Sequence, residues 1–456
     1  GNKLMHIHIL GVCGTFMGGL AQIAKELGHE VTGSDQNMYP PMSDELIKLS
    51  IDVMNGYEPE HLHSCPDLIL VGNTLSRGNP AIEYMLNQRL PFMSGPEWLY
   101  REVLHNKHVL AVSGTHGKTT TTTILSWILE YSGLNPSFLI GGVAENFGKS
   151  ASYTDSEYFV IEADEYDTAF FDKRSKFVHY HPDTLVINNI EYDHADIFHD
   201  LAAIRAEFHN LVRTLPETAK IIYPLGDNEV ETVLNMGCWT PLETFLGVGS
   251  DWSITDASRD YRDFSIINSG NEVGKVSWPV IGEHNAFNAL AAIIAAKNIG
   301  VSVEKACAAL SEFKSVKRRL ECIYDSNDIY IYDDFAHHPT AIRKSLQAIK
   351  SYAENGRIIA IMEPRSNTMR MGIHADTLSA AFADADQVFL YQAKDLKWNI
   401  AEYMNELGNR CQVFVDVDKI VESVSSEVQP QDHIVIMSNG AFGDIHQKLI
   451  ERLSKL

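Results

Sequence analysis

No stretch of the 456 residues stays apolar for the roughly 18–20 positions that a bilayer span requires. Positive charge is scarce: 37 Lys and Arg against 60 Asp and Glu give a formal net charge of −23. A surface this acidic repels phosphate backbones and anionic lipid, which argues against nucleic acid or membrane as a partner. Cysteine is sparse as well. Cys13, Cys65, Cys238, Cys307, Cys322 and Cys411 lie far apart and form no CxxC, so reduced thiols are expected rather than disulfides or zinc. Gly1–Leu10 runs into the strand-like HIHIL with no basic segment ahead of an apolar one, and therefore predicts no secretory leader. There is no short-period repeat, and no low-complexity tract beyond Thr119–Thr123. These absences together predict a cytoplasmic enzyme.

What is present is the composition of folded domains, 45% hydrophobic and 21% charged. At roughly 150 residues per domain the length predicts about three of them. Met5–Leu10 reads as a strand, then comes glycine-rich Gly11–Thr15. Leu20, Ile23, Ala24 and Leu27 follow on one helical face that Gly28 would end. Val31–Ser34 and Leu68–Val71 predict further strands. The pattern restarts near His105: strand Val109–Val112, a glycine loop, and a helix through Ile124, Leu125, Ile128 and Leu129. Phe159–Ile161 and Leu185–Ile187 read as central strands, 214–280 as shorter β elements, and Asn285–Lys297 as an alanine-rich helix. A third restart after Lys317-Arg318-Arg319 predicts five strands: Ile329–Tyr332, Ile358–Ile361, Val388–Tyr391, Val413–Val415 and Ile434–Met437. This βαβ rhythm predicts parallel sheets with right-handed crossovers, divided near 106 and 315.

The strongest motif is Gly114-Thr115-His116-Gly117-Lys118-Thr119-Thr120, between a strand and a helix. Backbone N–H groups of such a loop can surround phosphate oxygens, Lys118 adds a positive charge near the β- and γ-phosphates, and Thr119 offers an oxygen to Mg²⁺. The general phosphate-loop pattern also asks for glycine at position 112, where this chain has Val. Glu162-Ala163-Asp164-Glu165 and Asn188-Asn189-Ile190-Glu191-Tyr192-Asp193-His194 follow the next two strands. Carboxylates at the ends of adjacent parallel strands converge on the edge where open α/β sheets bind ligands, so Glu162 and the less usual His194 are candidate Mg²⁺ ligands. Asn285 and Asn288 sit one helical turn apart and could hold an adenine edge, although Asn285 could equally cap its helix. Arg319 beside transferring phosphates would stabilise developing charge, and Asp334 would anchor a ribose or orient that arginine.

In this order, the loop 11–19, GTHGKTT, EADE, NNIEYDH, GEHNAFN, RRLE and DDFAHHP resemble the Mur ligase family along the whole chain. The resemblance implies an α/β fold of three domains. Residues 1–106 would form a Rossmann-like parallel sheet holding a UDP-sugar, and 107–315 a central P-loop-type ATPase domain. Residues 316–456 would form a second Rossmann-like α/β domain receiving the amine substrate. It also implies an ATP-dependent amide ligase of peptidoglycan assembly. Lys118 would bind phosphate, Glu162 and His194 would ligate Mg²⁺, Asn285 and Asn288 would hold adenine, and Arg319 and Asp334 would reach in from the third domain. Some relatives use a carbamylated lysine, but 195–219 contains no lysine and Phe208 stands near the expected place.

Within the family three stretches look like the ligases that recycle the tripeptide L-alanyl-γ-D-glutamyl-meso-diaminopimelate onto UDP-N-acetylmuramate. They are Gly11–Gly19, the insertion Phe170–Phe177, and Glu363–Met369 with Ser438-Asn439-Gly440. The same-class alternative is the ligase adding L-alanine to that UDP-sugar, and the alternative from another class is a nucleotide-dependent regulatory ATPase. A folate polyglutamylating enzyme would lack the N-terminal segment. A dehydrogenase would rest on Gly11-x-x-Gly14 and Asp35 alone, without GxGxxG spacing. The UDP-sugar is expected against Gly11, Gly14, Thr15, Phe16 and Met17, with Asp35, Asn73 and Arg77 lining the site. Asp35 could instead be a turn residue. The tripeptide carboxylates are expected at Arg365, with Ser366, Asn367 and Asn439 as hydrogen-bonding partners, unless Arg365 merely pairs with Glu363 or another surface carboxylate.

Overall fold

The computed structural model describes residues 3–36, 38, 42–142, 146–191 and 200–456, with the backbone alone at 367 and 368. Among the described residues three large sheets follow one another along the chain, beside one two-stranded hairpin. The first has five parallel strands in the order Asp52–Asn55, Glu30–Asp35, His6–Leu10, Leu68–Val71, Phe92–Ser94. Leu68–Val71 is buried at every position, as a strand covered on both faces requires. The helix Thr15–Glu26 starts directly after the glycine-rich turn and buries Met17 through Ala24.

The central sheet has ten strands. Its parallel heart runs Leu242–Phe245, Lys220–Pro224, Thr184–Ile187, His108–Ser113, Tyr158–Glu162, Ser137–Leu139. Antiparallel strands extend it over Asp263–Asn268 and Asn271–Ser277, within the stretch where short β elements are expected. Register places the site: Ser113 pairs with Ile187 and Val112 with Glu162, so the phosphate loop, Glu162 and Asn188 leave the sheet at one edge. The helix Lys118–Tyr131 tolerates five threonines, weak helix formers, because they are buried and partly satisfied. Thr122 Oγ1 donates to the Lys118 carbonyl and Thr121 Oγ1 to Asn288 Oδ1.

The third sheet carries the five expected strands in the order Ile329–Asp334, His433–Met437, Ile358–Met362, Gln387–Tyr391, Cys411–Phe414, and a sixth, Arg319–Ser326, antiparallel at its edge. That edge strand is half-buried and mixes charged with apolar residues, which hides it from apolar-run reading. One hydrophobic cluster runs from Ile7, Met17 and Leu20 of the first sheet to Phe159, Ile161 and Phe177 of the second, so these two units share a core. The third unit has its own core, joined by Ile281 from the central one. Among the described residues, no helix is long and apolar enough to cross a membrane.

Candidate active site

The phosphate loop is built by two glycines with left-handed φ, Gly114 at +132° and Gly117 at +84°. A Cβ on Gly114 would come within 3.1 Å of the Asn189 backbone nitrogen, so only glycine lets the loop lie against the neighbouring strand end. Asn189 clamps the loop from both sides. Its Oδ1 accepts from the His116 N–H at 2.8 Å, and its Nδ2 donates to the His116 carbonyl at 3.0 Å. The helix then begins at Lys118 with no side-chain cap, leaving its first N–H groups for an anion.

Each carboxylate of Glu162-Ala163-Asp164-Glu165 meets a different partner. Thr119 Oγ1 donates to Glu162 Oε1, Lys176 Nζ lies 3.3 Å from Asp164 Oδ2, and Lys118 Nζ lies 3.2 Å from Glu165 Oε2. Burial pushes the Glu162 carboxyl above its ordinary pKa, partly countered by Lys118 and the Thr119 hydrogen bond. Burial alone would lower the Lys118 ammonium, but Glu165, Glu162 and Asp164 outweigh it and hold its pKa above the usual lysine value. Thr119 and Glu162 thus present two hard oxygen donors in contact, and Gly141 leaves the room that a Cβ would take from Glu162 Oε2. This donor set fits Mg²⁺. His194, the third expected ligand, lies outside the described residues.

Lys118, Thr119, Glu162 and Asp164 line a cavity of about 500 Å³ together with Thr115, His116, Thr120, Asn285 and Asn288 from the central unit. Arg319, Asp334 and Lys344 line it from the third. Asn285 is buried and its amide donates to the Ile281 carbonyl at 2.9 Å; Asn288 Oδ1 accepts from Thr121. The paired arginines divide their work. Arg318 donates to the Ser438 and Gly440 carbonyls at 2.8 Å each and pins the backbone, while Arg319 stacks at 5.0 Å over Phe335 and faces the cavity. Burial lowers the Arg319 pKa against the pull of Asp334 and Glu162. Both Asp334 oxygens are engaged, one by Ser345 Oγ at 2.6 Å and the other by the Leu320 N–H at 3.0 Å.

Three features escaped the sequence. Lys344, on the helix Pro339–Ala353, lines the cavity and has its pKa lowered by burial. Lys176 and Glu165 complete the charge pairs described above. Glu191 joins two units: its Oε2 accepts from Thr340 Oγ1 at 3.0 Å and lies 3.2 Å from His116 Nε2. Thr340 directly follows the HHP motif, but nothing in the sequence pairs it with Glu191.

Burial would raise the Glu191 carboxyl, but the hydrogen bonds from His116 and Thr340 overcome it and hold the pKa down to about 2. A depressed carboxylate contributes stability that is full above its unfolded pKa, about 4.3 for glutamate, and is lost as pH falls through its folded value. Glu191→Gln is therefore expected to be less stable than the wild type at pH 7 by about 1 kcal/mol, because a side chain 37% exposed is screened by solvent. The gap should narrow between pH 4.5 and pH 2 in paired thermal melts. A gap independent of pH would remove the charge from this account.

The expected UDP-sugar residues gather at the carboxyl edge of the first sheet and lie outside that cavity. Gly11 has φ +86°, and the helix after Gly14 has no side-chain cap. Asp35 Oδ2 accepts from the Cys13 N–H at 2.9 Å and its Oδ1 from the Tyr57 hydroxyl at 3.4 Å, so it braces the loop. Arg77 forms a bidentate pair with Glu83 at 2.8 Å and is 65% exposed. Its use on a diphosphate would require exchanging that pair. Asn73 is half-buried. Arg365 and Asn439 follow adjacent parallel strands of the third sheet. Arg365 is 52% exposed and approaches Glu363 at 3.6 Å, the pairing weighed above. Among the described residues Asn439 Oδ1 is buried without a hydrogen-bond partner, and Ser366 Oγ accepts from the Met369 N–H at 3.4 Å. The Asn367 side chain lies outside the described residues.

A phosphate loop, converging carboxylates and an arginine supplied from a third unit define a three-domain ligase that activates its substrate with ATP. The middle-domain model of the Mur ligases matches 112–296, their glutamate ligase domain 318–440, and the Mur ligase family catalytic domain 6–106. The chain belongs to the Mur ligase family, ATP-dependent enzymes that form amide bonds. It is 49% identical to the UDP-N-acetylmuramate–L-alanyl-γ-D-glutamyl-meso-2,6-diaminoheptandioate ligase of Haemophilus influenzae, covering 99% of each chain. The crystal structure of a murein peptide ligase from Psychrobacter arcticus superposes with a TM-score of 0.76 at 47% identity, again over 99% of each chain. Identity falls to 31% with the UDP-N-acetylmuramate–L-alanine ligase of Acetivibrio thermocellus, over 96% of this chain and 94% of that one.

Proposed function

We propose that this chain joins L-alanyl-γ-D-glutamyl-meso-diaminopimelate to UDP-N-acetylmuramate, converting ATP to ADP and phosphate. The division of labour is 1–106 for the UDP-sugar, 107–315 for ATP and 316–456 for the peptide. The observation that carries the tripeptide over L-alanine is the end-to-end likeness to the tripeptide ligase, far above that to the L-alanine ligase. The edge holding Arg365 and the unpartnered Asn439 Oδ1 supports it, because the tripeptide brings carboxylates and amides that L-alanine lacks.

A carboxylate is a poor electrophile, since its charge repels nucleophiles and oxide is a poor leaving group. The lactoyl carboxylate therefore attacks the γ-phosphorus of ATP, releasing ADP and leaving an acyl phosphate. The peptide's neutral amine then attacks the carbonyl carbon and phosphate departs. Lys118 and Arg319 approach the transferring group from opposite units and offset its charge. Thr119, Glu162 and His194 would hold Mg²⁺, which when bound supplies further charge neutralisation to the phosphates. Asn285 and Asn288 sit where adenine would lie.

Incubating the protein with Mg·ATP, UDP-N-acetylmuramate labelled with ¹⁸O in the lactoyl carboxyl, and either tripeptide or L-alanine tests both parts. One labelled oxygen is expected in inorganic phosphate, with efficient product formation from the tripeptide alone. Unlabelled phosphate would exclude the acyl phosphate, and preference for L-alanine would exclude the peptide assignment.

A further inference from the structure

The insertion after Glu165 forms a hairpin, Asp167–Ala169 with Asp172–Ser175, that runs into a short helical turn Lys176–His179. Its end is anchored from two sides. Ser175 Oγ donates to the Glu165 carbonyl at 2.7 Å, and Phe177 packs edge-on against Phe208 at 5.1 Å in the core shared by the first two units. Lys176 projects from this anchored turn and is only 6% exposed. Its ammonium meets Asp164 at 3.3 Å on one side and the Phe16 ring at 4.5 Å on the other. Phe16 belongs to the helix start proposed for the UDP-sugar. Asp164 lines the cavity that holds Lys118, Thr119 and Glu162. Lys176 is therefore a single-residue bridge between the two half-sites.

A second group follows directly after the same turn. The Tyr180 hydroxyl is fully buried without a hydrogen-bond partner among the described residues, and feels the charges of Asp164 and Glu162. A buried donor with nothing to bind costs free energy unless a ligand satisfies it.

We infer that Lys176 receives the reacting carboxylate of the UDP-linked sugar acid and holds it for attack on the γ-phosphate, with Tyr180 beside it. The inference rests on the substrate proposed above. The sugar acid must stretch from the diphosphate at the first sheet to the phosphate loop, and its carboxylate must cross the seam that Lys176 occupies. An ammonium has three donors, and Asp164 takes one while fixing the group in place. A second can hold a carboxylate that would otherwise be repelled by the γ-phosphate. Such positioning lowers the barrier through proximity and charge together. If Lys176 served only to neutralise Asp164, the carboxylate of the substrate would be indifferent to it.

The test compares binding of UDP-N-acetylmuramate with that of its lactoyl carboxamide analogue, in the wild type, Lys176→Met and Lys176→Arg. The wild type is expected to favour the acid by about tenfold or more, a step of one decade in Kd. Lys176→Met should bind both forms alike while keeping the wild-type affinity for the amide and for ATP. Lys176→Arg should restore part of the preference. Equal loss of acid and amide in Lys176→Met would show a structural residue, and an unchanged preference would show that another group binds the carboxylate; either overturns the assignment. A wild type that binds neither UDP-sugar would overturn the substrate proposal itself, and this inference with it.

Discussion

Lys118→Met is expected to lower kcat for ligation by about a thousandfold or more, a loss of roughly 4 kcal/mol of transition-state stabilisation. Phosphoryl transfer demands little covalent chemistry from the protein, so the charge that holds and neutralises the γ-phosphate contributes a large part of the rate. Lys118 stands at the helix start where that phosphate must lie, and Arg319 and Lys344 line the cavity from the third unit. The change also carries a cost in stability. Lys118 pairs with Glu165, which is 1% exposed, so removing the ammonium takes a charge partner from a buried carboxylate. Lys118→Met should therefore lose stability as well as activity. Lys118→Met/Glu165→Gln should regain much of the stability while remaining inactive. Thermal melts and single-turnover ATP consumption separate the two effects. A stable double variant with substantial ligation would refute the phosphate role of Lys118.

The catalytic edge was legible because its parts are contiguous in sequence. A loop of seven residues, an acidic tetrad and an Asn-Asn pair each follow an apolar strand, and parallel register then brings them to one edge. The contacts that join units were illegible for the opposite reason. Nothing near Glu191 announces that Thr340, 149 residues later, will donate to it. Nor does the isolated Lys176 reveal that it will sit against Phe16. Edge strand Arg319–Ser326 was missed because half-buried strands at a sheet edge carry no continuous apolar run. Arg77 already has a partner for a local reason: Glu83, six residues on, pairs with it bidentately, which spacing alone did not advertise. Charged residues proposed for binding thus needed the structure to show which partners already hold them.

That lesson bears directly on Arg365, whose apparent partner is a weak one. Glu363 stands at 3.6 Å, and burial pushes its carboxyl above the ordinary pKa against the pull of Ser438 and Arg365. Glu363 also accepts from Ser438 Oγ at 3.1 Å, so it has a partner without Arg365. The guanidinium is half exposed against Gly440, the residue after Asn439, and can exchange a long contact for a bidentate one with a peptide carboxylate. Arg365→Ala is accordingly expected to raise the KM for tripeptide about 10- to 100-fold, the effect of losing one charge-assisted pair. The KM values for ATP and UDP-N-acetylmuramate should change by much less. A second variant makes the geometry testable without deleting the charge. A Cβ on Gly440 would lie 2.4 Å from Arg365 Nε and 2.5 Å from its Cδ, so Gly440→Ala must push the side chain aside. It should raise the tripeptide KM by a smaller factor in the same direction. If both variants raise all three KM values equally, the third domain has lost its seating on the central one, and Arg365 is not the peptide anchor.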